Sequence, residues 1–153
     1  MQLIRSRWPW EYELREGERV VAGIHVGFWR DQGALVVGGV THRVLLMEFL
    51  GRRFAVAPSD HPPARAEREG LLRFSYRVEA GGRHWLVRSQ GPFRRGVTVF
   101  SATAVDRVVG EVRPEGWFHQ RAAVRLPADM PPLAQAFVCW LAVLHWKRRA
   151  SRS

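Results

Sequence analysis

The sequence is short of the residues that build disulfide frameworks, metal sites and catalytic thiol sites. Its one cysteine, Cys139, excludes a disulfide within the chain. Cys139 lies in an apolar segment, where a thiol acts as a small hydrophobic side chain rather than as a nucleophile. The six histidines are scattered, and no two stand four residues apart as on a metal-binding helix. We expect no metal site and no cofactor.

Motifs of the common enzyme classes are missing as well. The chain contains no Gly-x-Ser-x-Gly, no phosphate-binding P-loop and no Gly-x-Gly-x-x-Gly. These motifs place a nucleophile, a triphosphate or a dinucleotide on a strand-to-helix turn, and nothing in this sequence replaces them. We therefore expect a binding protein without catalytic residues rather than an enzyme.

Negative charge is scarce relative to positive charge. The chain has 24 lysine and arginine residues against 14 aspartate and glutamate residues, a formal net charge of +10. Lys147 is the only lysine, so nearly all of the positive charge is arginine. Such an excess favours acidic partners such as anionic lipid, polyphosphate or nucleic acid. A bias towards arginine also arises from a GC-rich genome, so a functional basic surface and a composition effect both stay open.

Long hydrophobic runs are missing until the last part of the chain. Residues 1–7 carry no apolar run after their basic residues, which predicts no secretory signal and a cytoplasmic location. The segment 132–146 has no charge and no glycine, and its large apolar side chains point to nearly all sides of a helix. Such a helix must be buried nearly all round. The segment from Leu133 to Trp146 has about 14 residues and would be about 21 Å long as a helix. A helix that crosses a bilayer needs ~20 residues, so burial in protein is favoured.

Both ends of this segment carry helix-boundary signals. Asp129 is the predicted N-cap, and Pro131 and Pro132 are tolerated in the first turn. Lys147, Arg148 and Arg149 place positive charge at the negative end of the helix dipole. We predict a central helix at about 131–149, within a single domain of residues 1–149, followed by a basic disordered tail at 150–153.

The residues between Trp8 and Leu126 have the pattern of short strands and tight turns. Apolar and polar residues alternate, and glycine pairs such as Gly38-Gly39 are hairpin signals. The segment Ser59 to Gly70, rich in proline and alternating charge, is predicted to be an exposed loop. No strand-then-helix alternation occurs, so we predict a mainly β fold. It is a closed antiparallel β-barrel of about 10–12 strands wrapped around the hydrophobic C-terminal helix.

The order of these features resembles the tubby-like superfamily, which includes the tubby C-terminal domain, the LURP-one-related proteins and the phospholipid scramblases. The matching features are Val109 to Arg113, then Arg121 to Pro127, then the final apolar helix with its tryptophans. The resemblance implies a closed barrel threaded by its C-terminal helix. It also implies binding of phosphoinositide head groups by basic surface residues, as in the tubby branch. The acidic calcium-binding segment and the cysteine cluster of scramblases are missing, which speaks against scramblase activity.

Basic clusters are the candidate binding residues. The candidates beside turns or in the tail are Arg52, Arg53, Arg94, Arg95, Lys147, Arg148 and Arg149. They could hold an anionic membrane surface, at the inner face of the membrane, or another phosphorylated ligand. The competing interpretation is that the tail only ends the helix and the arginines only keep the barrel soluble.

Three hypotheses follow for function. The first is a non-enzymatic tubby-like barrel that binds anionic phospholipid or another phosphorylated ligand. The second is a tail-anchored membrane protein that inserts residues 132–146 into lipid. The third is a barrel that carries a small ligand in an open cavity. Nucleic acid is a less favoured partner, because it calls for exposed aromatic residues among the basic ones.

Overall fold

Alternating apolar and polar residues give each strand one inward and one outward face, and the strands follow one another around a ring. The structure is a computed structural model, which describes residues 1–6, 8–27, 30–47, 53–57, 62–70, 73–91, 94–103, 107–116 and 120–152. The described residues form twelve strands and one helix: β1 Gln2–Arg5, β2 Glu11–Glu16, β3 Arg19–Val26, β4 Gly33–Val37, β5 Val40–Leu46, β6 Arg53–Val56, β7 Ala64–Arg68, β8 Ser75–Ala80, β9 Arg83–Ser89, β10 Val97–Ser101, β11 Val108–Glu115, β12 Arg121–Arg125 and α1 Pro132–Ala150.

Each strand pairs antiparallel with its neighbours in the chain, and β1 pairs with β12 to close the barrel. Closure leaves no strand edge open to pairing with another chain. The prediction of a closed antiparallel barrel around a C-terminal helix is confirmed.

Because neighbouring strands run in opposite directions, the connections between them alternate between the two ends of the barrel. The helix begins at one end and finishes at the other. The helix-entry end has the described residues 16–20, 36–40, 57, 62–64, 80–83, 101–103, 107–108 and 126–132. The helix-exit end has the described residues 5–6, 8–10, 27, 30–32, 46–47, 53, 69–70, 73–74, 90–91, 94–96, 115–116, 120–121 and 147–152. Gly38 and Gly39 form the predicted hairpin turn at the entry end, with φ of 59° and 76°.

The helix lies in the barrel and is buried on every side from Ala134 to Trp146. Inward side chains of the strands surround it, including Leu14, Val44 and Val87, each with no exposed surface. An apolar helix inside a ring of apolar strand faces removes both surfaces from water, which is the main favourable term in folding. The predicted all-round burial of the helix in protein is thus confirmed.

Trp140 anchors the helix to one side of the barrel. Its indole Nε1 donates a hydrogen bond to the His25 carbonyl oxygen at 2.9 Å. Its ring packs against Phe54 with ring centroids 5.0 Å apart. The strand beside it carries Gly33, where an added Cβ would lie 2.7 Å from the indole nitrogen and would also overlap the His25 carbonyl. Glycine at this position therefore lets the helix approach β3 and β4.

The prediction that Asp129 caps the start of the helix was wrong. The residue before the helix is Pro131, and no side chain caps the helix. Asp129 instead pairs with Arg83 at 2.9 Å, because the start of β9 places a guanidinium beside it. The helix also continues to Ala150, where the disordered tail was expected to begin, and the amide of Ser151 donates to the Lys147 carbonyl.

The prediction of a loop from Ser59 to Gly70 was wrong for its second half, because Ala64–Arg68 form strand β7. Residues 58–61 lie outside the described residues. Ala64 and Ala66 face inward and are 1% exposed. Arg65 faces outward and pairs with Glu79 on β8 at 2.6 Å. The alanine, arginine and glutamate residues of this segment have little strand preference of their own, so pairing with β6 and β8 decides its structure. Strand β1 was also not predicted. It has only four residues, and Leu3 is the one that is fully buried.

We predict that Gly33→Ala destabilises the barrel by about 1–3 kcal/mol, because the new methyl group overpacks against backbone and against the Trp140 indole. Gly23→Ala is the matched control on β3, since its Cβ would meet Val36 at an ordinary 3.5 Å. We expect this control to change stability by less than about 1 kcal/mol. Urea unfolding of both variants makes the comparison. Equal stability of the two variants would show that the His25 carbonyl and the Trp140 indole do not pack against Gly33 as described.

Candidate functional site

The C-terminal end of the helix is tied to the barrel by its own basic residues. Lys147 Nζ donates to the Gly27 carbonyl at 2.5 Å and lies 3.7 Å from Asp31. Arg148 donates from Nε and Nη2 to one Asp31 oxygen, at 3.2 and 3.0 Å, and from Nη1 to the Tyr76 hydroxyl at 3.0 Å. Asp31 therefore holds two cations of the helix against the connection between β3 and β4.

These contacts engage Lys147 and Arg148, two residues that were predicted to bind an anionic ligand. The side chains of Lys147 and Arg148 are only 13% and 21% exposed. Desolvation by burial lowers the pKa of Arg148, but Tyr76 and Asp31 together outweigh it, so the pKa is raised overall. Both residues thus stabilise the position of the helix. Because these side chains are mostly covered and share the Asp31 carboxylate, they are poorly placed to contact an external anion.

The other predicted residues have different surroundings. Arg149 donates from Nη1 to the Arg94 carbonyl at 2.9 Å, and the Trp146 indole donates to the Arg95 carbonyl at 2.6 Å. Arg53 pairs with Glu67 at 3.2 Å on the outer wall. The structure brings Arg94, Arg95 and Arg149 together at the helix-exit end, next to the last turn of the helix. Arg52 lies outside the described residues.

Arginines on the barrel wall are mostly paired with carboxylates on the same or the neighbouring strand. The wall pairs are Arg15–Glu13, Arg65–Glu79, Arg77–Glu69 and Arg125–Glu111, and Arg19–Glu16 and Arg83–Asp129 lie at the entry end. Exposed pairs of this kind contribute little to stability, but they cancel the charge of the wall.

Arginines without an ion pair gather at the helix-exit end. Within the described residues, the exposed arginines there that pair with no carboxylate are Arg5, Arg30, Arg73, Arg94, Arg121 and Arg152. Away from this end the corresponding residues are Arg43, Arg107 and Arg113. Two carboxylates of the described part of this end, Glu11 and Glu115, also have no ion pair. The end nevertheless keeps a clear excess of positive charge.

Sequence reasoning missed Arg5, Arg30, Arg73 and Arg121 as a group. A signal that could have found them is the order of the strands. In an antiparallel meander successive connections lie at opposite ends of the sheet, so every second connection lies at the same end. Arg30 and Arg73 lie in the β3–β4 and β7–β8 connections, and Arg5 and Arg121 end β1 and begin β12. Assigning each connection to one end of the barrel requires the correct number of strands. Strands β1 and β7 were not predicted from the sequence, so the connections could not be assigned to ends.

Among the described residues, the core of the barrel is filled by the helix and the inward side chains of the strands. The helix occupies the centre, which argues against the hypothesis of an open carrier barrel. Hollows of about 580 and 470 Å³ lie on the outer wall, over β2–β4 and β6–β9. Cys139 is fully buried, and burial raises the pKa of its thiol well above the ordinary value. In the described part of the chain, no three metal-ligating side chains come together.

The helix is also unlike a membrane span. Across the part of the chain that the structure describes, no helix has both the length and the hydropathy that crossing a bilayer requires. The tail-anchor hypothesis would insert residues 132–146 into lipid, and the barrel encloses Ala134 to Trp146 of this segment.

Comparisons with known proteins leave the relationship open. No protein-family model, curated protein or solved structure matches the chain. The tubby-like relationship therefore stays a prediction, which rests on the order of the strands, the terminal helix and the residues quoted above.

We predict that Asp31→Asn lowers the free energy of unfolding by about 1–2 kcal/mol, because two largely buried cations lose their counter-charge. Asp129→Asn is the matched control, since its ion pair with Arg83 is exposed, with side chains 68% and 47% accessible. We expect the control to change stability by no more than about 0.5 kcal/mol. Urea unfolding at low salt measures both. An equal loss in the two variants would remove the structural role assigned to Lys147 and Arg148.

Proposed function

We propose that the protein is a non-enzymatic, tubby-like barrel that binds an anionic phospholipid surface or another phosphorylated ligand at its helix-exit end. The observation that carries the proposal is the gathering of arginines without ion pairs at this one end. The wall pairs most of its described arginines with carboxylates, so the attraction of the barrel for an anion is directional.

The chemistry of arginine supports phosphate as the recognised group. A guanidinium presents a planar fork of donors that matches two oxygens of a phosphate, and it stays charged at any physiological pH. Arg30, Arg73 and Arg94 lie on three connections of the helix-exit end, β3–β4, β7–β8 and β9–β10, so they are spread around part of the barrel rim. A flat anionic surface meets all of them at once, with each charge contributing about 1 kcal/mol near such a surface.

The helix end provides a rigid base for this rim. Lys147 and Arg148 are engaged with Asp31 and Gly27, so the last turn is held in place. Arg149 and Arg152 lie at its outer side and add to the positive field. The proposal therefore replaces the tail cluster by the rim arginines as the main contacts. It keeps the protein at the inner face of a membrane without insertion of the helix.

Vesicle flotation tests the proposal. We expect the protein to float with phosphatidylserine-containing vesicles at low salt, and not with phosphatidylcholine vesicles or at high salt, because the contact is electrostatic. The variant Arg30→Gln, Arg73→Gln, Arg94→Gln should lose about 3 kcal/mol of attraction, more than a hundredfold in partitioning.

The matched control removes the same charge elsewhere. Arg19→Gln, Arg43→Gln, Arg107→Gln changes three exposed arginines, of which Arg19 and Arg107 lie at the helix-entry end and Arg43 on the wall. Partitioning of this variant should fall only by the small effect of net charge. If the two triple variants bind equally, the helix-exit end is not the site. If the unaltered protein binds no anionic vesicle, the membrane as ligand is wrong.

A further inference from the structure

Trp8 is the most exposed large apolar residue of the described chain. Its accessibility is 66%, whereas the next highest value is 56%, at Val40. Of the other described tryptophans, Trp85, Trp140 and Trp146 are buried and Trp10 is partly buried. An exposed indole forfeits a large burial energy, so its position in the fold is informative.

The turn that carries Trp8 is well defined by hydrogen bonds. The Ser6 amide donates to the Glu11 carbonyl at 2.8 Å, and the Glu11 amide donates to the Trp8 carbonyl at 3.3 Å. Trp10 has a φ of 61°, a conformation that costs a residue with a side chain about 1–2 kcal/mol. The Val26 amide donates to the Trp10 carbonyl at 3.0 Å, and the Trp10 side chain packs against the core. The strained turn thus packs one indole partly against the core and leaves the other in solvent.

The position of Trp8 coincides with the basic rim. It lies in the β1–β2 connection at the helix-exit end, beside Arg5 at the end of β1 and Arg121 at the start of β12. Met47, which is 50% exposed, lies at the same end. The exposed valines lie at the opposite end, and they are Val20, Val36, Val40 and Val108. Cationic groups and a large amphipathic ring therefore share one end.

We propose that the ligand of the helix-exit end is a bilayer rather than a free phosphorylated molecule, and that Trp8 enters its interface. This inference rests on the proposed function. A dissolved phosphate can accept one hydrogen bond from an indole N–H, but it offers no apolar surface against which the ring can be buried. A membrane does, since tryptophan prefers the head-group level, where its ring is buried and its N–H stays hydrogen-bonded. Arginine attraction then brings the rim to the surface, and the indole adds a contact that salt does not screen.

Partitioning onto vesicles measures the contribution of Trp8. Trp8→Ser should weaken binding to phosphatidylserine-containing vesicles about tenfold, because part of the burial energy of a large side chain is lost. Val40→Ser removes a similarly exposed apolar residue at the helix-entry end and should change binding less than about twofold. Binding of inositol hexakisphosphate, a soluble phosphorylated probe, should be the same in both variants.

Site-specific labelling tests insertion directly. Because Cys139 is buried, Trp8→Cys and Val40→Cys each provide one accessible thiol for an environment-sensitive fluorophore. The label at position 8 should shift its emission to the blue when anionic vesicles are added. The label at position 40 should keep the emission it has in water.

The outcomes separate this inference from the proposed function. If Trp8→Ser binds vesicles normally and the label at position 8 does not shift, while Arg30→Gln, Arg73→Gln, Arg94→Gln loses binding, insertion is wrong and the basic site stands. If Trp8→Ser weakens the binding of inositol hexakisphosphate as much as it weakens the binding of vesicles, Trp8 belongs to a head-group pocket. That result also overturns the inference. Loss of vesicle binding in Trp8→Ser with a blue shift at position 8 supports it.

Discussion

The rest of the structure depends on the enclosure of one helix that is apolar on all sides. From Ala134 to Trp146 no face of it can meet water without a large cost, so the strands must surround it. A sheet that curls until β1 meets β12 provides that surround and also removes both sheet edges. The barrel needs the helix in return, because its inward side chains would otherwise line an empty space.

Enclosure of the helix leaves few polar groups to satisfy inside. The indoles of Trp140 and Trp146 donate to backbone carbonyls of His25 and Arg95 on the barrel, so both of these indole N–H groups have a partner. The charged residues appear only where the helix leaves the barrel, and Asp31 holds two of them. The same geometry that fixes the helix thus separates structural cations from the rim arginines that remain available to a ligand.

The fold could be predicted from the sequence further than the site could. The helix follows from the composition of 132–146, and most strands follow from their alternation and glycine turns. Strand β7 could not be found, because Ala64 and Arg65 carry no strand preference and are placed by pairing with β6 and β8. Lys147 and Arg148 look like a free basic tail in the sequence, since their partner Asp31 lies more than a hundred residues earlier. Which arginines stay unpaired is decided by cross-strand register, which a single sequence does not display.

Reactivity of Cys139 in the protein free in solution tests the enclosure of the helix most directly. The thiol lies in the middle of the helix, and burial both blocks access and opposes ionisation by raising its pKa. If the barrel encloses the helix, a small thiol reagent modifies Cys139 only as fast as the whole barrel unfolds, and readily once urea has unfolded it. Rapid modification of the folded protein, with its thermal transition intact, would place the helix outside the barrel.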